Sequence, residues 1–159
     1  HAYINFQYSH LGLSNPTIGF DDFSMDLNLD NADPTKSTVT VVIDTNSVIA
    51  GSPVWHDHIT GGKWFDTANH GEITFTSTSI EAAGDSVYKV TGDLTIKGAT
   101  KPASLMVTIN NAMMHPMAGK PVIGLDAAGQ VLRSEWGMGA NAPHISDEVK
   151  LMITAELLQ

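Results

Sequence analysis

The chain of 159 residues contains no cysteine. This absence excludes a disulfide framework, a zinc site built from thiolates and catalysis by a cysteine nucleophile. It does not indicate a cellular compartment, because proteins without cysteine occur on both sides of a membrane.

Basic residues and long apolar runs are also scarce. Lys and Arg total 8 against 17 Asp and Glu, so the formal net charge is −9. Binding to nucleic acid phosphates needs clustered cations, so we expect no nucleic acid partner. No apolar run approaches the roughly 20 residues of a membrane-spanning helix, and an acidic chain is not attracted to anionic lipid. We therefore expect no membrane insertion.

Sequence motifs of common enzymes are absent too. The chain has no Gly-x-Ser-x-Gly elbow, no His-Glu-x-x-His helix and no phosphate-binding Walker loop. Residues 137–142 carry the letters of a dinucleotide fingerprint, but Pro143 follows at once and no helix does, so this segment is predicted to be a loop. We predict a protein that is not an enzyme.

What the chain does have is alternation of apolar and polar residues with a period of two, which predicts β-strands with one buried face. Strands are predicted over residues 2–8, 17–30, 39–43, 73–80, 88–96, 103–109, 122–133 and 149–157, with a turn at 98–102 and a loop at 112–121. The apolar phase slips by one residue at Asp21-Asp22, which predicts a bulge or bend there. Strands joined by short turns predict one all-β domain over residues 1–159, a single antiparallel barrel or sandwich.

Residues 53–66 break this alternation and predict a short helix or turn interrupted at Gly61-Gly62. The segment holds Trp55, Trp64 and Phe65 beside two histidines, His56 and His58. Two histidines two residues apart, with His10 or His70 nearby, could hold zinc, so a metal binder or metal-dependent enzyme using His10, His56 and His58 is one hypothesis. The other is that these polar residues satisfy buried backbone groups near the mouth of a barrel.

The apolar strand faces leave a second question open. A barrel of about eight strands has an interior just wide enough for packed side chains or for one slender ligand. Alternation alone does not separate these two possibilities.

Several segments of the chain carry a resemblance to a known family. They are residues 1–6, Ser9 to Ser14, Gly19-Phe20, His58-Ile59 with Trp64-Phe65-Asp66, residues 73–77, Gly92 to Pro102 and Ser146 to Val149. In this order and spacing they resemble the YceI-like family of lipocalin-like, polyisoprenoid-binding proteins, which are commonly secreted to the bacterial periplasm. Trp55-His56 stands where the family usually has Arg-Asp, and His70-Gly71 stands where it often has Tyr-Pro.

The resemblance implies a roughly eight-stranded, lipocalin-like antiparallel barrel with one short helical insertion. Its apolar channel would bind and carry, or sequester, one long apolar ligand: an isoprenoid quinone, a polyprenyl compound or a fatty acid derivative. We expect no cofactor beyond such a bound isoprenoid or acyl lipid, and no metal. His10 and His58 match the family's histidines, and Trp64-Phe65 match its aromatic pair. The predicted ligand-binding residues are Phe6, His10, Phe20, Val41, Ile43, His58, Trp64, Phe65, Phe75, Leu94, Ile96, Leu105, Val107, Trp136, Leu151 and Ile153.

The resemblance also implies a periplasmic or secreted location. A chain that begins at His1 rather than Met fits the expectation that a signal peptide has been removed. Unpaired strand edges would allow a homodimer.

Overall fold

All ten strands of the protein belong to one antiparallel sheet, and the computed structural model describes residues 1–159 in full. The strands are β1 (Ala2–Gln7), β2 (Thr17–Phe20), β3 (Phe23–Asn28), β4 (Thr38–Asp44), β5 (Val48–Ile49), β6 (Glu72–Gly84), β7 (Val87–Ile96), β8 (Ala99–Met114), β9 (Pro121–Leu132) and β10 (Glu148–Leu158). One α-helix, α1 (Pro53–Thr60), and three short 3-10 turns at Pro34–Lys36, Thr45–Ser47 and Arg133–Trp136 complete the fold. The predicted all-β class with one short helix is confirmed.

The sheet is strongly curled but is not closed by strand pairing. Its strands follow the order β3, β4, β6, β7, β8, β9, β10, β1, β2, β5, so β3 and β5 are edges that do not pair with each other. The architecture is therefore a half-barrel of ten strands rather than a closed barrel of eight. One of the two additional strands arises because the predicted strand over 17–30 divides at Asp21-Asp22 into β2 and β3, and the other is β5. The two-residue β5 is too short for a periodic signal in the sequence.

The predicted alternation of buried and exposed side chains is observed, as β7 illustrates. On β7, Val90, Leu94 and Ile96 are buried, whereas Lys89 before them and Asp93 between Val90 and Leu94 are exposed. Because side chains alternate across a strand, this pattern turns every second residue toward the inside of the curl.

The predicted turn at 98–102 and loop at 112–121 are partly wrong. The turn between β7 and β8 is confined to Lys97 and Gly98, whose φ angles of 50° and 77° suit a tight two-residue hairpin. Strand β8 then continues to Met114, which pairs with Pro121 at the start of β9. The sequence from 110 to 114 lacks β-branched residues, so the ladder with β9 determines its conformation rather than its own propensity.

Helix α1 begins and ends where the sequence predicts. The Ser52 side chain accepts a hydrogen bond from the Trp55 backbone N–H at 3.2 Å, and Pro53 occupies the first helical turn. The helix ends at Gly61, as the Gly61-Gly62 pair predicts. At eight residues, it is the only α-helix, and no helix of the structure is long and apolar enough to cross a membrane.

Candidate ligand cavity

The concave face of the sheet encloses two adjoining apolar chambers. The first, here called the helix chamber, has a volume of about 170 Å³ and is lined by 25 residues, of which 23 are hydrophobic. The second, called the far chamber, has a volume of about 280 Å³ and is lined by 22 residues, of which 17 are hydrophobic. Four residues, Val41, Phe75, Leu105 and Ile153, line both chambers.

Single strands run past both chambers and contribute to each with a period of two. On β8, Ala103 lines the helix chamber, Leu105 lines both, and Val107 and Ile109 line the far chamber. Strand β7 follows the same scheme: Leu94 lines the helix chamber, whereas Tyr88 and Val90 line the far chamber. The inward phase of these strands therefore forms one elongated apolar surface rather than two unrelated pockets.

The end of the helix chamber is built by α1 and by two loops. Trp55 and Ile59, four residues apart on one face of α1, both line the chamber. Trp64 and Phe65 follow from the loop after the helix, and Trp136 enters from the loop between β9 and β10. The aromatic side chains of this end pack together: the Phe65 ring makes edge contacts with Phe6 at 5.9 Å and with Phe20 at 5.8 Å.

Fourteen of the sixteen predicted ligand-binding residues line one chamber or both. They are Phe6, Phe20, Val41, Ile43, Trp64, Phe65, Phe75, Leu94, Ile96, Leu105, Val107, Trp136, Leu151 and Ile153. Their contact with a ligand stays a prediction.

The two predicted histidines do not line either chamber. His10 is exposed and its backbone bridges to Ser14 and Ile145. His58 is also exposed, because it lies beside the inward face of α1 rather than on it. Its ring stacks on Trp55 at 4.9 Å, and its Nε2 accepts a hydrogen bond from Trp64 Nε1–H at 3.1 Å. His58 therefore contacts two side chains that line the chamber, Trp55 and Trp64, without lining the chamber itself.

The hypothesis of a metal site at His10, His56 and His58 is wrong for this arrangement. His56 Nε2–H donates to the Asn46 carbonyl at 2.9 Å, so that nitrogen is engaged with the backbone. The structure contains no group of three or more His, Cys, Asp or Glu side chains that could hold a metal ion. The alternative hypothesis, that these residues satisfy buried backbone groups, is not met by His56 either, because its contact with the Asn46 carbonyl is exposed.

Several lining residues were missed by the sequence reasoning. Ile4 on β1 and Tyr8 directly after it share the phase of Phe6 and could have been found from alternation. Met138 and Ile145 lie in the loop between β9 and β10, where no periodic pattern exists to predict their direction. Most of the far chamber was also missed; its additional apolar side chains are Met25, Leu27, Leu29, Val39, Ile80, Tyr88, Val90, Ile109, Ile123, Leu125, Ala127 and Leu157.

The most unexpected member of the wall is Arg133, the only arginine of the chain. It is 6% exposed, and backbone carbonyls rather than a carboxylate hold its guanidinium. Its Nε–H donates to Ser146 O at 2.8 Å, and its two terminal nitrogens donate to the carbonyls of Met138, Ala140 and Ile145. Burial lowers the pKa of Arg133, and the charges of Asp147 and Tyr8 partly oppose this shift.

Arg133 thereby holds together the loop that closes the helix chamber. Its four carbonyl acceptors all lie between residues 138 and 146, the segment that also carries the lining residues Met138 and Ile145. A hydrogen bond to a charged donor is stronger than one between neutral groups, so a single side chain fixes this irregular backbone. Trp136 is anchored separately, because its Nε1–H donates to the Leu94 carbonyl at 3.0 Å.

Comparison with known proteins decides the family. The sequence model of the YceI-like domain matches residues 1–157. The chain belongs to the YceI-like family. Protein YceI of Salmonella arizonae is 33% identical over 159 residues, which are 100% of this chain and 82% of that protein. The resemblance that the sequence motifs carry is thus confirmed over the full chain.

Two solved structures share the fold of this chain. The crystal structure of BcnA from Burkholderia cenocepacia superimposes with a TM-score of 0.89 at 24% identity, covering 98% of this chain and 96% of that chain. A polyisoprenoid binding domain from Saccharophagus degradans, implicated in plant cell wall breakdown, superimposes with a TM-score of 0.68 at 19% identity, covering 98% of this chain and 92% of that chain. At these identities the likeness concerns the fold.

Proposed function

We propose that this YceI-like protein binds a long apolar molecule, an isoprenoid quinone, a polyprenyl compound or a fatty acid derivative, and carries or sequesters it without chemical change. The observation that carries the proposal is the pair of adjoining chambers, in which 23 of 25 and 17 of 22 lining residues are hydrophobic. Two adjoining apolar chambers suit a ligand that is long and slender rather than compact.

The energy for binding would come from burial of the ligand's apolar surface. At about 25 cal/mol per Å², burial of about 400 Å² contributes about 10 kcal/mol before the entropic costs of binding. The polyisoprenoid binding domain of Saccharophagus degradans, which shares the fold, supports an isoprenoid as one ligand class.

The test is to identify what the purified protein carries. Organic extraction followed by mass spectrometry is expected to release one lipid-like molecule per chain, and the delipidated protein is expected to take up a fluorescent quinone or acyl probe. Leu151→Trp would place a large ring in the helix chamber and is expected to weaken uptake, whereas Leu13→Trp alters a residue that is 82% exposed and serves as the control. Absence of both an extracted lipid and probe uptake would overturn the proposal.

We also propose that the protein acts in the periplasm or outside the cell. The sequence resemblance supports this location. Fractionation of the native organism, with detection of the protein by antibody, checks it; recovery in the cytosolic fraction alone would contradict it.

A further inference from the structure

We propose that Val41, Phe75, Leu105 and Ile153 form a waist that sorts ligands by length, so that a short chain occupies one chamber and only a chain slender enough to pass the waist occupies both. This inference rests on the proposed function. It assigns to the four residues a role in specificity, in addition to their place in the wall.

The first support is position. The four residues are the ones that line both chambers, and they come from four strands of the curl, β4, β6, β8 and β10. Val41 and Phe75 are direct partners across the β4–β6 pair. Because these side chains line both chambers, they lie where one chamber meets the other.

The second support is a glycine on each of the two strands that lie between these side chains in the sheet. Gly92 on β7 lies two residues from both Val90 and Leu94, so it belongs to the inward phase of its strand. A Cβ atom there would lie 2.5 Å from Cζ of Phe75, which shows that the Phe75 ring covers the glycine. A glycine inside a strand is typical of a place where another group approaches closely.

Gly129 on β9 repeats this arrangement with Leu105. The two residues are direct partners across the β8–β9 pair, and a Cβ atom at Gly129 would lie 2.7 Å from Cδ2 of Leu105. Both waist side chains therefore lean along the wall over a neighbouring strand that offers no side chain of its own. With a larger residue beneath them, Phe75 and Leu105 would be displaced toward the centre of the curl.

The dimensions of the channel allow the affinity for a ligand to depend on the length of that ligand. Strand β10 lines the helix chamber from Val149 and reaches the far chamber at Leu157. These residues are about 27 Å apart along the strand at a rise of about 3.4 Å per residue. The waist residue Ile153 lies about 14 Å from Val149 along the same strand. A ligand shorter than about 14 Å gains nothing from the second chamber, whereas a longer one gains apolar contact there only if it passes the waist.

The test compares geraniol, farnesol and geranylgeraniol, three alcohols of one chemistry and increasing length, as ligands of the delipidated full chain. Phe75→Ala opens the waist and is expected to raise the affinity for geranylgeraniol relative to geraniol by about tenfold. Phe20→Ala is the matched control, because Phe20 is equally buried but lines the helix chamber alone. It is expected to change the affinities for all three alcohols by a similar factor.

A second variant narrows the passage and keeps the test independent of any loss of stability in Phe75→Ala. Ile153→Phe is expected to weaken geranylgeraniol binding by about tenfold and to leave geraniol binding within about twofold. If Phe75→Ala and Phe20→Ala change the ratio of long-chain to short-chain affinity equally, or if Ile153→Phe weakens all three alcohols alike, the waist does not sort by length. If the unaltered protein binds none of the three alcohols and also fails to bind a quinone or an acyl probe, the proposed function itself fails.

Discussion

The guanidinium of Arg133 lies 5.3 Å from the centre of the Trp64 ring. Trp64 in turn donates its Nε1–H to His58, and the His58 ring stacks on Trp55. These four side chains connect the loop before β10 with helix α1 at one end of the helix chamber, and all but His58 line it. A cation over an indole contributes about 1 kcal/mol, and more where the pair is shielded from water.

Arg133→Lys is expected to lower the free energy of unfolding by about 3 kcal/mol. Lysine presents three donors from one nitrogen and cannot reach the four carbonyls that the guanidinium holds, so buried carbonyls would lose their partners. Urea denaturation followed by circular dichroism measures the change. Lys101→Ala removes an exposed cation and is expected to cost less than about 0.5 kcal/mol; equal costs for the two variants would show that the hydrogen bonds of Arg133 do not stabilise the loop.

His58→Phe is expected to speed hydrogen exchange of the Trp64 indole and to cost about 1 kcal/mol of stability. Phenylalanine keeps a flat ring for stacking on Trp55 but has no acceptor for Trp64 Nε1–H. Exchange of the indole proton is followed by nuclear magnetic resonance. His144→Phe, a change at an exposed histidine, provides the comparison, and an unchanged exchange rate in His58→Phe would contradict the role given to this hydrogen bond.

Trp136→Phe is expected to destabilise the fold by about 2 kcal/mol, because the Leu94 carbonyl would lose its donor inside the protein. Trp136 is 1% exposed, so water cannot replace the indole N–H without opening the wall. Thermal and urea unfolding measure the loss. Trp55→Phe makes the same chemical change at a half-buried position and should cost less; the reverse order would refute this account.

Stability is expected to fall as the pH rises above 10, partly through Tyr8. Burial raises the pKa of Tyr8 above its ordinary value of 10.0, and the charge of Arg133 opposes the shift in part. Because the unfolded chain releases this proton first, the contribution is fully present below the ordinary value and is lost as the pH rises through the raised one. Urea unfolding at several alkaline pH values measures the slope. Tyr8→Phe should reduce the slope and Tyr3→Phe, at an exposed site, should reduce it less.

The faces of the strands could be predicted from the sequence because alternation is a local property. Val39, Val41 and Ile43 were assigned to one phase of one strand, and all three line the cavity. The same reasoning predicts the strand over residues 149–157, which lie within β10. A period of two is set by the geometry of the backbone and needs no knowledge of the neighbouring strands.

Residues in irregular segments could not be assigned in this way. Arg133 was not recognised, because its acceptors are carbonyls of a loop whose path has no sequence signal. His58 matches a family position and is predicted to bind ligand for that reason, yet its ring contacts Trp55 and Trp64 without lining the chamber itself. The direction of a helical side chain depends on how the helix docks, and docking is decided by the whole sheet.

The sequence by itself determined the class of the fold, the inward phase of most strands, the position of the short helix and membership of the YceI-like family. Only the tertiary structure decided that the sheet curls without closing and that its interior holds two adjoining chambers with Phe75 and Leu105 in both walls. The physical reason is that volume is not a local property. Whether a space between strands is filled depends on side chains such as Val41 and Ile153, which are far apart in the chain and meet only when the sheet curls.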